Sequence, residues 1–372
     1  MKSDKRKLYF IDGIEPSGDG ETFVVRLLRQ EPEHFGGRFL YKRLHSEQVH
    51  SDLVEYYQGE GISERISGSE NGLHDGMFLW LSDGLASQQM SFLKSDYEIK
   101  KYDIKPSPKY IKDGVRKNLE ISEKGTPCNP RLYCFRVGQG DMSVFISSES
   151  RAYIIDTYIY SSCIEQKKAL LKKVLGDGPV EALILTHRHF DHYLGAYHLF
   201  DWFKIKNLIV NNSFVQNEQP VQVERLLNKA HEEETKIITQ SKSDSFNDGQ
   251  TRFNFEIHNV LNASENKNSI VLNITYKDKL YCLTGDADVR DLEKISYKPC
   301  NDIILKVSHH GSITGTSLPF LKNFDHCNNK KAFISVGQDN RYHHPNALCG
   351  FWLNGKNFDV TASTMIEDYE PY

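Results

Sequence analysis

Thr186-His187-Arg188-His189-Phe190-Asp191-His192 follows directly on the apolar run 182–185. That run reads as a short buried strand, so the His/Asp segment sits in a strand-to-helix loop. A helix is expected from about His192 to Trp202 or Phe203. In extended backbone His187 and His189 share a side, and Asp191 and His192 carry the pattern round the turn. Neutral imidazoles and carboxylates are donors that Zn²⁺ or Mn²⁺ accept without thiolates. A polar surface loop with scattered histidines is the bland alternative, but it does not explain this order after a buried strand.

Outward from this segment, other apolar runs end in similar chemistry. Run 280–283 leads through Thr284-Gly285 to Asp286, and run 303–307 leads to His309-His310-Gly311-Ser312. Each alone is an ordinary turn. Together they place metal-capable side chains at the ends of separate strands, which a sheet can bring to one rim. Further strands are expected at 131–136, 142–147, 152–155, 208–210, 253–258, 269–275 and 332–336. Residues 163–175 have helical periodicity with lysines on one side. Short strands mixed with helices predict two sheets covered by helices, an α/β architecture.

The chain has 372 residues, 39% hydrophobic and 26% charged, which is ordinary for one large or two medium globular domains. Its net charge of −4 gives no global field for nucleic acid. The seven cysteines include no CxxC pair, so they read as buried or incidental thiols rather than a disulfide framework. The apolar run after the basic start is too short for a signal-peptide core and no run is long enough to span a bilayer. A cytoplasmic protein with no membrane association is expected. The break is expected near 128. Residues 1–127 read as a smaller mixed α/β N-terminal domain, with β-like runs 7–12, 22–29, 37–44 and 77–81, a helix-like stretch from Ser46 and a basic linker from about 99.

The order Val137-Gly-Gln-Gly-Asp141, Ile155-Asp156-Thr157, Thr186 to His192, Leu283-Thr-Gly-Asp286, Lys306-Val-Ser-His-His-Gly-Ser312 and Asn340-Arg-Tyr-His-His-Pro345 resembles the metallo-β-lactamase superfamily. Within it, the pattern most resembles the branch that contains the C-terminal domain of ComEC-type competence DNA-uptake proteins. The resemblance runs from about Arg131 to Leu353 and implies a metallo-β-lactamase αββα sandwich over 128–372. It also implies two divalent metal ions, Zn²⁺ or Mn²⁺, with His187 and His189 on one, Asp191 and His192 on the other, and Asp286 between. His309 or His310 supplies a further metal ligand. Asp191 and His344 are the implied catalytic residues, and His310, Ser312, His344 and Asn266 the implied substrate contacts. The chain departs from the family pattern at Thr157-Tyr158, Arg136 and His343. It also lacks a clear histidine between the first loop and Asp286, where Asn266 precedes a strand instead.

The expected activity is metal-dependent hydrolysis of a phosphodiester by a metal-bound hydroxide, with DNA or RNA as the nucleic-acid substrate. The alternatives are a small phosphodiester (a cyclic nucleotide or a phosphocholine ester) and a non-catalytic module stabilised by its metal. The lysines of the linker and of the 163–175 helix are compatible with a polyanion, but equally with a solvated face. A protein partner or self-association through the N-terminal domain is a further expectation.

Overall fold

The computed structural model describes residues 111–372 apart from 122–124, 160–162, 216–220, 260–263, 339 and 341, and ahead of 111 the backbone of six strands. Contacts divide the chain into two compact units. One comprises Met1–Lys105, Val215–Arg225 and Arg341–His343, and the other Pro106–Phe214, Leu226–Asn340 and His344–Tyr372.

In the first unit Arg6–Pro16, Thr22–Gln30, Gly61–Ser67, Gln48–Tyr57, Met90–Leu93 and Phe78–Ser82 pair, in that spatial order, into a closed barrel. The helix expected from Ser46 is therefore corrected to the strand Gln48–Tyr57. Its β-branched and aromatic residues, Val49, Val54, Tyr56 and Tyr57, favour a pleated ribbon over a helix. Ahead of residue 111 the described elements are strands, and the helix Val115–Asn118 also falls within the expected 1–127 stretch. The expected run 37–44 lies outside the described residues.

The second unit begins ahead of the expected break at 128. Ile111–Asp113 pairs in parallel with Lys236–Gln240, and a short helix, Val115–Asn118, follows. Gly114, at φ 83°, makes the turn, and fully buried Val115 donates its N–H to Gln240 Oε1 at 2.8 Å. This part of the expected linker is thus an edge strand and its anchor. A run of lysines could not advertise that pairing.

The unit contains two sheets. The first has the order Tyr369–Pro371, Arg131–Phe135, Ser143–Ile146, Ala152–Ile155, Val180–Leu185, Ile205–Asn211, Lys236–Gln240, Ile111–Asp113. It is parallel from Ala152–Ile155 onward. The second sheet is an antiparallel meander of Asp244–Asp248, Thr251–Glu256, Val271–Tyr276 and Lys279–Leu283. Asp302–Lys306, Asn329–Ile334 and Asp359–Ala362 then join in parallel.

Alternation along the strands decides what each face covers. Ile155, Ile184, Ile209 and Ile238 from the first sheet meet Phe253, Leu272, Tyr281, Leu283 and Ile304 from the second in one core. The intervening residues of the second sheet, Leu280, Cys282, Ile303 and Leu305, face away. They pack with Phe320, Leu321 and Leu353 from the helices Leu318–Lys322 and Ala347–Gly355. Every residue of Val180–Leu185 is buried, so that strand is covered on both faces, one of them by the second sheet through Ala182 and Ile184. The expected αββα sandwich is the architecture found. Among the described residues, no helix is long and apolar enough to cross a membrane.

Candidate metal centre

Val180–Leu185 delivers the chain to Thr186, which is pinned to Asp156 at the end of the neighbouring strand. Thr186 N–H donates to Asp156 Oδ1 at 2.7 Å, and its hydroxyl donates to Oδ2 at 2.8 Å. The same Oδ2 accepts from His192 Nδ1 at 2.8 Å. Asp156 therefore fixes both ends of the 186–192 segment. The expected long helix is instead two pieces, Phe190–Tyr193 and Ala196–Trp202, which bracket Gly195. A Cβ at Gly195 would lie 2.5 Å from Thr157 Oγ1, so only glycine lets the helix approach this closely.

The other loops close on the same point. Gly285, at φ 53°, turns the chain after Lys279–Leu283 and places Asp286 under His192 and His187. His192 Nε2 is 3.2 Å from Asp286 Oδ1, and His187 Nε2 is 3.9 Å from Oδ2. After Asp302–Lys306 the chain enters a tight turn with positive φ at His309, His310 and Gly311. His310 Nδ1 donates to the Ser335 carbonyl at 2.8 Å. A carbonyl can only accept, so this bond leaves Nε2 as the basic nitrogen. Nε2 is 3.2 Å from Asp191 Oδ2 and 3.6 Å from Asp286 Oδ2.

His187, His192 and Asp286 thus form one compact donor triplet, and Asp191, His192 and His310 a second that shares His192. All of these side chains are buried. His189 is buried beside His187, with ring centroids 4.7 Å apart, but belongs to neither triplet. His309 is also outside both. Its Nε2 is 3.3 Å from Asn266 Nδ2 and its Nδ1 is 2.8 Å from Thr314 Oγ1. Ser312 braces that threonine, with hydroxyl oxygens 2.9 Å apart. The half-buried His344 ring lies against both histidines, 5.5 Å from His309 and 6.3 Å from His310 between centroids. Asn340 holds the His344 backbone by accepting its N–H at 2.9 Å. His198, one of the histidines between the first loop and Asp286, stacks on Trp202 at 6.0 Å, which accounts for its place.

The donor set fits divalent cations. Both Asp286 oxygens and His192 Nε2 are buried without a well-directed hydrogen bond to any described residue. Buried polar atoms left so are costly, and a cation among them removes that cost. Burial opposes a proton on His192, yet Asp286, Asp156 and Asp141 together raise its pKa well above the ordinary imidazole value. Burial pushes the Asp286 carboxyl up, but His192, His310 and His309 outweigh that and hold it well below the usual carboxylate range. A cation that takes His192 Nε2 as a ligand competes with a proton for that nitrogen. Metal binding is expected to release protons and to weaken as pH falls. Calorimetry of Mn²⁺ or Zn²⁺ binding in buffers of different ionisation enthalpy checks this, and buffer-independent heats would refute it.

Sequence reasoning gave no role to Lys306, Asp141, Asp156 or Ser335. Lys306, buried at the end of its strand, pairs with Asp141, donates to the Gly285 carbonyl at 3.3 Å and stands 4.0 Å from Asp286 Oδ1. Burial pulls its pKa down, but Asp141 and Asp286 outweigh that and raise it. The signal was present in the polar residues that terminate apolar strands. Their partners were not.

A buried His/Asp cluster on loops at the strand ends of an αββα sandwich is the arrangement of a metal-dependent hydrolase. The chain belongs to the metallo-beta-lactamase superfamily, whose family model matches residues 136–325 and whose members typically bind divalent metals. Among curated proteins it is similar to ComE operon protein 3 of Bacillus subtilis (strain 168), with 31% identity over 228 residues. That alignment takes in 56% of this chain and 28% of the relative, so the chain spans little more than a quarter of that protein. Solved structures similar to it include the metallo-beta-lactamase fold protein YhfI from Bacillus subtilis, at 13% identity and TM-score 0.42, covering 66% of this chain and 99% of that one. Zn(2+)-bound PqqB from Methylobacterium extorquens is another, at 9% identity and TM-score 0.40, covering 63% and 87%.

Proposed function

We propose that the chain is a metal-dependent phosphodiesterase that cleaves DNA or RNA. The observation that carries the metal-dependent reading is the shared triplet geometry around His192, with Asp286 buried and its oxygens turned to the same point. The polynucleotide rests on the motif resemblance to the DNA-uptake branch. Two lysines of Ile164–Leu175 are already engaged within the chain. Lys167 is buried and donates to the Arg136 carbonyl, and Lys172 pairs with Asp177.

His187, His189 and Asp286 would hold one ion, and Asp191, His192 and His310 the other, with Asp286 between them. His310 rather than His309 is the ligand in this reading, because His309 turns both nitrogens to Asn266 and Thr314. Divalent ions bound there supply Lewis acidity, opposing the charge of the phosphoryl group and acidifying a water as nucleophile. Asp191 would orient that water by accepting its hydrogen bond. His344, on the rim beside His309, would face the leaving oxygen and offset the charge that develops as the P–O bond breaks. Asn266 fixes the His309 ring, and Ser312 fixes Thr314 beneath it.

The test is cleavage of single- and double-stranded DNA and of RNA in Mn²⁺ or Zn²⁺, for wild type beside His310→Ala and His309→Ala. His310→Ala should lose at least about 100-fold in rate together with bound metal, while His309→Ala should keep its metal. Polynucleotide binding should fall steeply with salt, since each phosphate contact releases counterions. Turnover of a cyclic nucleotide or bis(4-nitrophenyl) phosphate with no polynucleotide cleavage would move the assignment to small phosphodiesters. Equal turnover by His310→Ala would end the metal reading.

A further inference from the structure

Away from the metal centre, Cys300 and Cys327 bring their sulfurs to 3.0 Å inside the outer core of the second sheet. Cys300 precedes the strand Asp302–Lys306, and Cys327 precedes its parallel neighbour Asn329–Ile334. The backbone on either side is clamped. Asn301 O accepts from Asn328 N at 2.8 Å and from Asn329 N at 3.1 Å, and Cys300 N donates to His326 Nε2 at 3.1 Å. The thiols therefore meet because sheet pairing holds their chains, not through a chance rotamer.

We propose that Cys300 and Cys327 are an oxidative modification site that closes to a reversible disulfide. The two sulfurs need approach by only about 1 Å to reach a bond of about 2.0 Å. Zinc is the competing occupant, since His326 completes a Cys/His cluster. Thiolates on one tetrahedral zinc, at about 2.3 Å each, stand about 3.8 Å apart, farther than these sulfurs. The ring nitrogen of His326 that reaches Cys300 is already an acceptor for a backbone N–H. Cys282 lies in the same core cluster, but the sulfur brought to 3.0 Å from Cys300 is that of Cys327.

With hydrogen peroxide as oxidant the chemistry balances. One thiolate attacks a peroxide oxygen and the O–O bond breaks, giving a sulfenic acid and hydroxide, which takes up the proton that thiol released to become water. The second thiolate displaces hydroxide from the sulfenic sulfur as the S–S bond forms, and that hydroxide takes up the second thiol's proton as a second water. A dithiol returns both thiols by exchange. Burial pushes the Cys300 thiol above its ordinary pKa, so closure should be slow at neutral pH and faster in alkali. The ring runs from Cys300 to Cys327 and encloses the His309-His310 turn, so oxidation ties the segment that carries a proposed metal ligand into a covalent loop. This inference does not depend on the proposed substrate.

The full chain, treated with hydrogen peroxide and then alkylated and digested without reductant, should yield a Cys300–Cys327 linked peptide that dithiothreitol separates. The unfolding midpoint of the oxidised chain should rise by roughly 5–10 °C over the reduced chain. Cys327→Ser should lose both effects, and the wild-type peptide map stands whether or not that variant folds. Recovery of Cys300 and Cys327 as separately alkylated thiols after peroxide would overturn the proposal. So would a tightly held zinc ion that leaves with Cys327→Ser.

Discussion

Asp286→Asn is expected to lower metal-dependent turnover by about 10³-fold, ~4 kcal/mol of transition-state stabilisation. It should also reduce the metal retained after gel filtration. Asparagine keeps the shape of the side chain and its place after Gly285 but removes the charge. Both carboxylate oxygens are buried and face His187, His192 and His310, which is where a bound cation would sit. Circular dichroism should be unchanged, which separates loss of metal from loss of the fold. Full turnover and unchanged metal content in Asp286→Asn, measured by mass spectrometry of the bound metal, would refute the centre as described.

Lys306→Met is expected to be the most destabilising single change at the site, by about 3–5 kcal/mol. Methionine fills the stem but leaves the buried Asp141 carboxylate without its ammonium partner. For a unit of this size that corresponds to roughly 10 °C in the unfolding midpoint. Asp141 has neighbours that cannot replace the lysine, since His192 Nδ1 is committed to Asp156. The double variant Lys306→Met with Asp141→Asn should recover most of the loss, because a neutral pair of similar volume removes the uncompensated charge. Because the pKa of Lys306 is raised on folding, its contribution is fully present below the ordinary lysine value and is lost only in more alkaline solution. Additive losses in the double variant would show that the pair is not the source.

Much of this architecture was legible in the chain. Strands such as 152–155 and 280–283 were readable because they are short apolar runs bounded by turn residues. The candidate metal residues were readable because they follow such runs. What escaped had no periodic signature of its own. Asp244–Asp248 is a polar edge strand, Ile111–Asp113 lies among lysines, and Gln48–Tyr57 mixes its apolar residues in a way that fits helix or strand. Their state depends on the neighbour each pairs with.

The site divides in the same way. Adjacent histidines at 309 and 310 are chemically identical on paper, and only the positive-φ turn, with Ser335 behind one ring and Asn266 and Thr314 around the other, distinguishes them. By itself the sequence determined the donor types and the strand ends that bear them, because apolar runs and turn residues are local properties. Only the tertiary structure decided which donors converge and that Lys306 balances Asp141. It alone brought Cys300 to Cys327, because each of these contacts joins residues that are distant in the chain and close in space.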